Sequence, residues 1–117
     1  VLQDVNEQSP ITRKSERKSI FESEKGDITI ELLTNANHAL NGISITLSDE
    51  NQQSDFSWGH NYDEVGVVIE GSLEIELNNK LYNLNEGDSI YIEKFQPHKY
   101  RNLAKKKNIT HWFSLRN

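Results

Sequence analysis

A chain of 117 residues, 34% of them hydrophobic, has material for one hydrophobic core and one domain. Its net charge of −5 argues against a nucleic-acid-binding surface, which is usually basic. The absence of cysteine excludes disulfides, thiolate nucleophiles and cysteine-type zinc sites, and no apolar run approaches the roughly 18 residues of a membrane span. No secretory signal is visible, which leaves the cytosol as the default compartment.

In chain order, Val1 to Pro10 is polar and aperiodic and reads as a linker or arm that Pro10 closes off from helical continuation. Residues 1–12 are expected to be that arm and 13–117 the folded domain. The lack of methionine at position 1, and anywhere else, leads us to expect a piece of a longer or processed chain. Arg13, Lys14, Arg17 and Lys18 form a basic cluster around Glu16; it reads as a solvated first strand or linker, or else as a contact for a neighbouring domain or a phosphate.

Strand signals start at Ser19. Ile20-Phe21, the turn Glu24-Lys25-Gly26-Asp27 and Ile28 to Leu33 predict a hairpin, followed by an Asn35–His38 loop in which His38 is expected to be exposed. Gly42 to Leu47 alternates as a half-buried strand does, and Ser48 to Ser57 is a polar connection. Val65 to Ile69 leads through Glu70-Gly71-Ser72 into Leu73 to Leu77, where Leu73, Ile75 and Leu77 share one face. Asn78-Asn79 predicts a tight turn, because asparagine tolerates left-handed backbone angles. Leu81 to Leu84, Ser89 to Glu93, His98 to Leu103 and Ile109 to Leu115 complete some nine short strands at about ten-residue spacing, without a convincing helix. This pattern predicts an all-β sandwich or barrel.

Two stretches carry chemistry. His60 and Glu64 lie where the polar connection meets a strand, and His98 opens a later strand directly after Pro97. Two imidazoles and a carboxylate are suitable ligands for Zn, Mn, Fe or Ni, although four histidines in one chain make chance pairings easy to find. Tyr100 alternates onto the face of His98, and Tyr62 stands two residues from both His60 and Glu64. Trp58, with the tyrosines, either stacks a ligand or fills the barrel. Ile109, His111, Phe113 and Leu115 share a face; if that face points inward, His111 joins the pocket, and otherwise it is a histidine satisfied by its neighbours. Asp63 and Glu64 are adjacent on a strand and point apart, so they do not form an acid/base pair. If Glu64 faces a pocket, then Val65, Val67 and Ile69 face the other way and need cover from another sheet or a second subunit.

His60-x3-Glu64-x6-Gly71 and Gly87…Pro97-His98…Asn102 resemble the paired motifs of the cupin superfamily, G-x5-H-x-H-x3,4-E-x6-G and G-x5-P-x-G-x2-H-x3-N. The resemblance implies a jelly-roll (double-stranded β-helix) barrel with His60, Glu64 and His98 as ligands of a divalent transition metal. There are departures. The motif's leading histidine falls on Trp58 and its first glycine on Gln52, while the second motif's proline and glycine fall on Glu93 and Phe95. One of the four usual ligands is therefore missing. Ile11 to Lys18, Gly26, Ile30 to Leu33 and Asp63 to Gly71 further resemble the cupin domains of bacterial XRE-type helix-turn-helix regulators. That likeness implies a domain that senses a small-molecule effector and forms a homodimer, with DNA contacted only through a helical domain upstream and no membrane involvement. A stand-alone metal-dependent cupin enzyme, isomerase or dioxygenase, is the other reading, and a structural or storage cupin a third. The pocket is expected to comprise Trp58, His60, Tyr62, Glu64, His98, Tyr100 and His111.

Overall fold

The structure, a computed structural model, describes residues 9–35, 38–48, 59–102 and 106–115. Among them are nine strands: β1 (Ser19–Glu22), β2 (Ile28–Leu32), β3 (Leu40–Leu47), β4 (Glu64–Glu70), β5 (Leu73–Leu77), β6 (Lys80–Leu84), β7 (Ser89–Ile92), β8 (His98–Arg101) and β9 (Asn108–Leu115). They form two antiparallel sheets, one of six strands in the order β1-β2-β3-β9-β4-β7 and one of three in the order β6-β5-β8. The protein is an all-β jelly roll.

The alternation seen in the sequence decides which face is inside. On β3, Ile45 and Leu47 are buried; on β5, Leu73 and Ile75; on β4, Val68; on β7, Ile92; on β9, Trp112. Ile28 and Ile30 of β2 and Leu77 of β5 pack against this cluster from its margins. Complete burial of a side chain such as Leu47 or Ile75 stabilises the fold by about 1.5–3 kcal/mol relative to leaving it in water. Glu74 stays on the outer face of the small sheet and pairs with Arg101 on the adjacent β8.

Turn chemistry follows the residues. Asn78 and Asn79 join β5 to β6 with φ of 52° and 66°, the left-handed pair that a two-residue hairpin of this twist requires. The basic cluster departs from the strand reading. Lys14–Glu16 forms a single 3-10 turn in which the Arg13 N–H donates to Glu16 Oε1 at 3.1 Å, and the first strand begins only at Ser19. Arg17 reaches Glu31 on β2 at 3.8 Å. β3 starts two residues before the expected Gly42, and β8 ends at Arg101. Asn102, fully buried, donates its amide to the carbonyls of Ser48 and Lys106 and ties together the chain on either side of the barrel end.

Candidate metal centre

Glu64 is the first residue of β4 and His98 the first of β8, so the two sheets each bring one donor to the same end of the barrel. On β4 the inward set is Glu64, Gly66 and Val68, opposite Ser114, Trp112 and Thr110 of β9. His98 stands opposite Leu77 of β5 and is 6% exposed. His98 Nε2 lies 3.7 Å from Glu64 Oε1. His60 arrives from the loop before β4, its ring 5.9 Å from that of His98. One donor atom from each of His60, Glu64 and His98 falls within 4.8 Å of the others.

The local chemistry prepares the set for a cation. His98 Nδ1 is 2.9 Å from the carbonyl oxygen of Gln96. A carbonyl only accepts, so Nδ1 carries the hydrogen and Nε2 presents its lone pair toward Glu64. Burial pushes the Glu64 carboxyl above the ordinary glutamate range, and His60 and His98 pull it partly back. A half-buried carboxylate in that position gains from a positive charge beside it. Two bonds of about 2.1 Å at a tetrahedral angle place ligand atoms about 3.4 Å apart, so a small closure of the three donors brings them to metal distance. Three such donors would suit a divalent transition metal, with His60 the exposed member of the set.

Aromatic side chains enclose the rest. Tyr62 stacks on His60 with centroids 4.9 Å apart and planes 2° from parallel. Burial, and then Glu64, raise its phenol. Tyr100 points inward next to His98 and stacks on Trp112 at 6.4 Å; burial, with the Glu64 charge adding to it, pushes its phenol up to about 12, so it keeps its proton at neutral pH. Trp112 belongs to the buried core behind Tyr100, its Nε1–H donating to Thr110 Oγ1 at 2.8 Å. The indole lies directly over Gly66, where a Cβ would come within 2.4–2.6 Å of the ring; glycine is needed there for space.

His60, Tyr62, Glu64, His98 and Tyr100 are thus brought together, whereas His111 is not. The inward face of β9 is Asn108, Thr110 and Trp112, and His111 lies on the opposite face between Ser44 of β3 and Val67 of β4. The shared face of Ile109, His111, Phe113 and Leu115 is real but points outward, because the cross-strand register puts Trp112 against Gly66. Trp58 lies outside the described residues. His38 is exposed, as expected. Trp112, which packs on Tyr100 beside the centre, was missed in the sequence. Its signal is Gly66, the one residue of β4 without a side chain. On the other side of β4, a groove of about 440 Å3 shares Tyr62 and Glu64 with the centre and runs over Leu40, Val65, Tyr91 and Phe113.

Comparison with known proteins agrees with this geometry. The cupin domain family (Cupin_2) matches residues 47–114. No curated protein matches the chain significantly. Among solved structures, an RmlC-like cupin from Shewanella frigidimarina NCIMB 400 is 17% identical with a TM-score of 0.76, over 92% of this chain and 91% of that one. The Cupin_2 domain of an XRE family transcriptional regulator from Enterobacter cloacae is 22% identical with a TM-score of 0.69, over 78% of this chain and 98% of that one. FeII HppE is 17% identical with a TM-score of 0.75, over 92% of this chain and 61% of that one. At these identities the likeness is one of fold. No helix among the described residues is long and apolar enough to cross a membrane. With the family match spanning more than half of the sequence and the two motif loops meeting at one end of a jelly roll, the chain belongs to the cupin domain family.

Proposed function

We propose that this cupin is the effector-sensing and dimerising domain of a bacterial transcriptional regulator that works in the cytoplasm. DNA would be contacted only by a helical domain elsewhere in the longer protein. The observation that carries the reading is the two-sidedness of β4. Glu64 looks into the barrel toward His60 and His98, while Val65 and Ile69, on the same strand, are 37% and 45% exposed on the outer face of the large sheet. An effector site and an apolar partner surface therefore occupy opposite sides of one strand. The fold likeness to the cupin domain of an XRE family regulator supports the same reading.

In this proposal a divalent transition metal (Zn, Mn, Fe or Ni) is held by His60, Glu64 and His98, and supplies an open coordination position to a small polar effector. Tyr62 and Tyr100 line the approach, with Trp112 packed behind Tyr100. Ligand binding shifts the relative population of two arrangements of the dimer. Two measurements test it. Elemental analysis of protein purified without chelator should find about one transition-metal ion per chain, lost in His98→Ala. A metabolite screen by thermal shift should find a stabilising ligand, since a ligand at 100 times its dissociation constant adds about 2.7 kcal/mol. Metal content below about a tenth of an equivalent, unchanged by the substitution, refutes the metal. The absence of any stabilising metabolite refutes sensing.

A second reading, a metal-dependent enzyme, draws on the open side of the donor set at exposed His60, where a substrate has room to bind. Turnover of an isomerisable or oxidisable small molecule by the metal-loaded protein, abolished in Glu64→Gln, would favour it over the sensor.

A further inference from the structure

One short turn holds both the main chain of His60 and the imidazole of His98. In Glu93-Lys94-Phe95-Gln96, the Gln96 N–H donates to the Glu93 carbonyl at 3.2 Å and the Glu93 N–H donates to Gln96 Oε1 at 2.7 Å, which closes the turn on itself. From this turn the Phe95 N–H donates to the His60 carbonyl at 2.7 Å, and the Gln96 carbonyl accepts from His98 Nδ1 at 2.9 Å. The loop carrying His60 sits flush against it. Gly59, at φ +98°, has the Phe95 carbonyl carbon 2.7 Å and Gln96 backbone atoms 2.8 Å from where a Cβ would be.

Phe95 makes the arrangement costly. It adopts φ 64°, a left-handed conformation that a bulky residue rarely takes, and its side chain is 64% exposed, so burial offsets little of the strain. What the conformation achieves is to aim the Phe95 N–H at His60. Strain kept where packing gives no return is found at sites that need a fixed geometry.

We propose that the Glu93–Gln96 turn is a clasp that fixes the His60 main chain relative to the oriented His98 ring, and so the separation of the two donors, with Gly59 and Phe95 as positioning residues for the metal centre. The inference rests on the metal reading for its functional consequence. The clasp lies outside the core: Glu93, Lys94 and Phe95 are exposed, so loosening it frees the His60 loop without opening the barrel. Outer residues that orient ligands typically govern metal affinity by about 10–100-fold.

The test uses the full chain, stripped of metal and titrated with Co2+, whose visible absorption reports coordination geometry. Gly59→Ala, which wedges the loop apart, and Phe95→Pro, which both removes the N–H and forbids φ 64°, should each weaken Co2+ binding by at least about tenfold and alter the spectrum. Phe95→Gly keeps the N–H and favours the left-handed angle, and should match or exceed the wild type. Far-UV circular dichroism should show wild-type strand content in all three. In the metal-free protein, 15N spectra of His98 should show a single Nδ1–H tautomer in the wild type and in Phe95→Gly, and a mixture in Gly59→Ala. If Gly59→Ala does not fold, the Pro and Gly variants at 95 decide. Wild-type affinity and spectrum in both Gly59→Ala and Phe95→Pro would overturn the clasp, as would equal losses in Phe95→Gly and Phe95→Pro. A wild type that takes up no Co2+ removes the metal reading alone; the clasp then stands or falls on the His98 tautomer.

Discussion

Glu64 works against the fold in order to serve the site. Its folded pKa lies above the ordinary 4.5 because burial penalises the charge, with His60 and His98 only partly relieving it. A raised carboxyl contributes stability that is complete below the unfolded value and is lost as pH rises through the folded one. Glu64→Gln should therefore melt higher than the metal-free wild type at neutral pH, with the two curves converging as pH falls toward 4.5, and should lose metal binding. A thermal-melt series across pH on chelator-treated protein checks the first part, and elemental analysis the second. Gly66 gives the opposite kind of prediction. A methyl group there meets Trp112 Cζ3 at 2.4 Å, and overpacking of a filled interior costs about 1–3 kcal/mol, so Gly66→Ala should lower the unfolding free energy from urea titration by that amount. These two residues also show what the sequence displays and what it hides. Glu64 was legible because a carboxylate four residues after His60 fits a motif. Trp112 was not, because its place beside Tyr100 depends on a pairing between strands more than 40 residues apart.

At the scale of the strand, β9 shows why alternation is necessary and insufficient. Period two correctly sorted its residues into two sets, and the apolar bias of Ile109, Phe113 and Leu115 made that set look interior. Register decided otherwise: β9 lies between β3 and β4, and the residues facing inward are those opposite Ile43, Ile45 and Leu47. His111, on the outward face, is held below the ordinary histidine value, chiefly by burial and also by Arg17. A depressed histidine contributes stability that is present above the unfolded value of 6.5 and is lost as pH falls through the folded value. His111→Gln should flatten the loss of stability on the acid side of 6.5, measured by denaturant midpoints at a series of pH values. Turns were the most readable parts of the chain. Asn78-Asn79 between alternating runs has few other uses, and both residues take the left-handed angles that the pair suggested. Phe95 was unreadable for the same reason, since nothing in a phenylalanine announces φ 64°.

At the scale of the molecule, the donors are divided between the sheets: Glu64 belongs to the six-stranded sheet and His98 to the three-stranded one. A bound ion would join them across the barrel, in addition to the core formed by Leu47, Ile75, Ile92 and their neighbours. The outer face of the large sheet carries a straight cross-strand row, Gly42, Phe113, Val65 and Tyr91, paired successively from β3 through β9 and β4 to β7. Of these, Val65, Phe113 and Tyr91 are exposed large hydrophobic side chains, which the proposed dimer would cover. Val65→Lys should shift the proposed dimer to monomer in light scattering while leaving metal content unchanged.

The Gly66–Trp112 contact bears on evolution as well as packing. A side chain at position 66 costs stability for as long as the indole of Trp112 lies over it, and costs less once Trp112 has shrunk. The two changes are therefore coupled, with the shrinkage the cheaper first step. Homologues that have gained a side chain at position 66 should mostly carry a smaller residue in place of Trp112, and those that combine a side chain at 66 with the indole should be less stable.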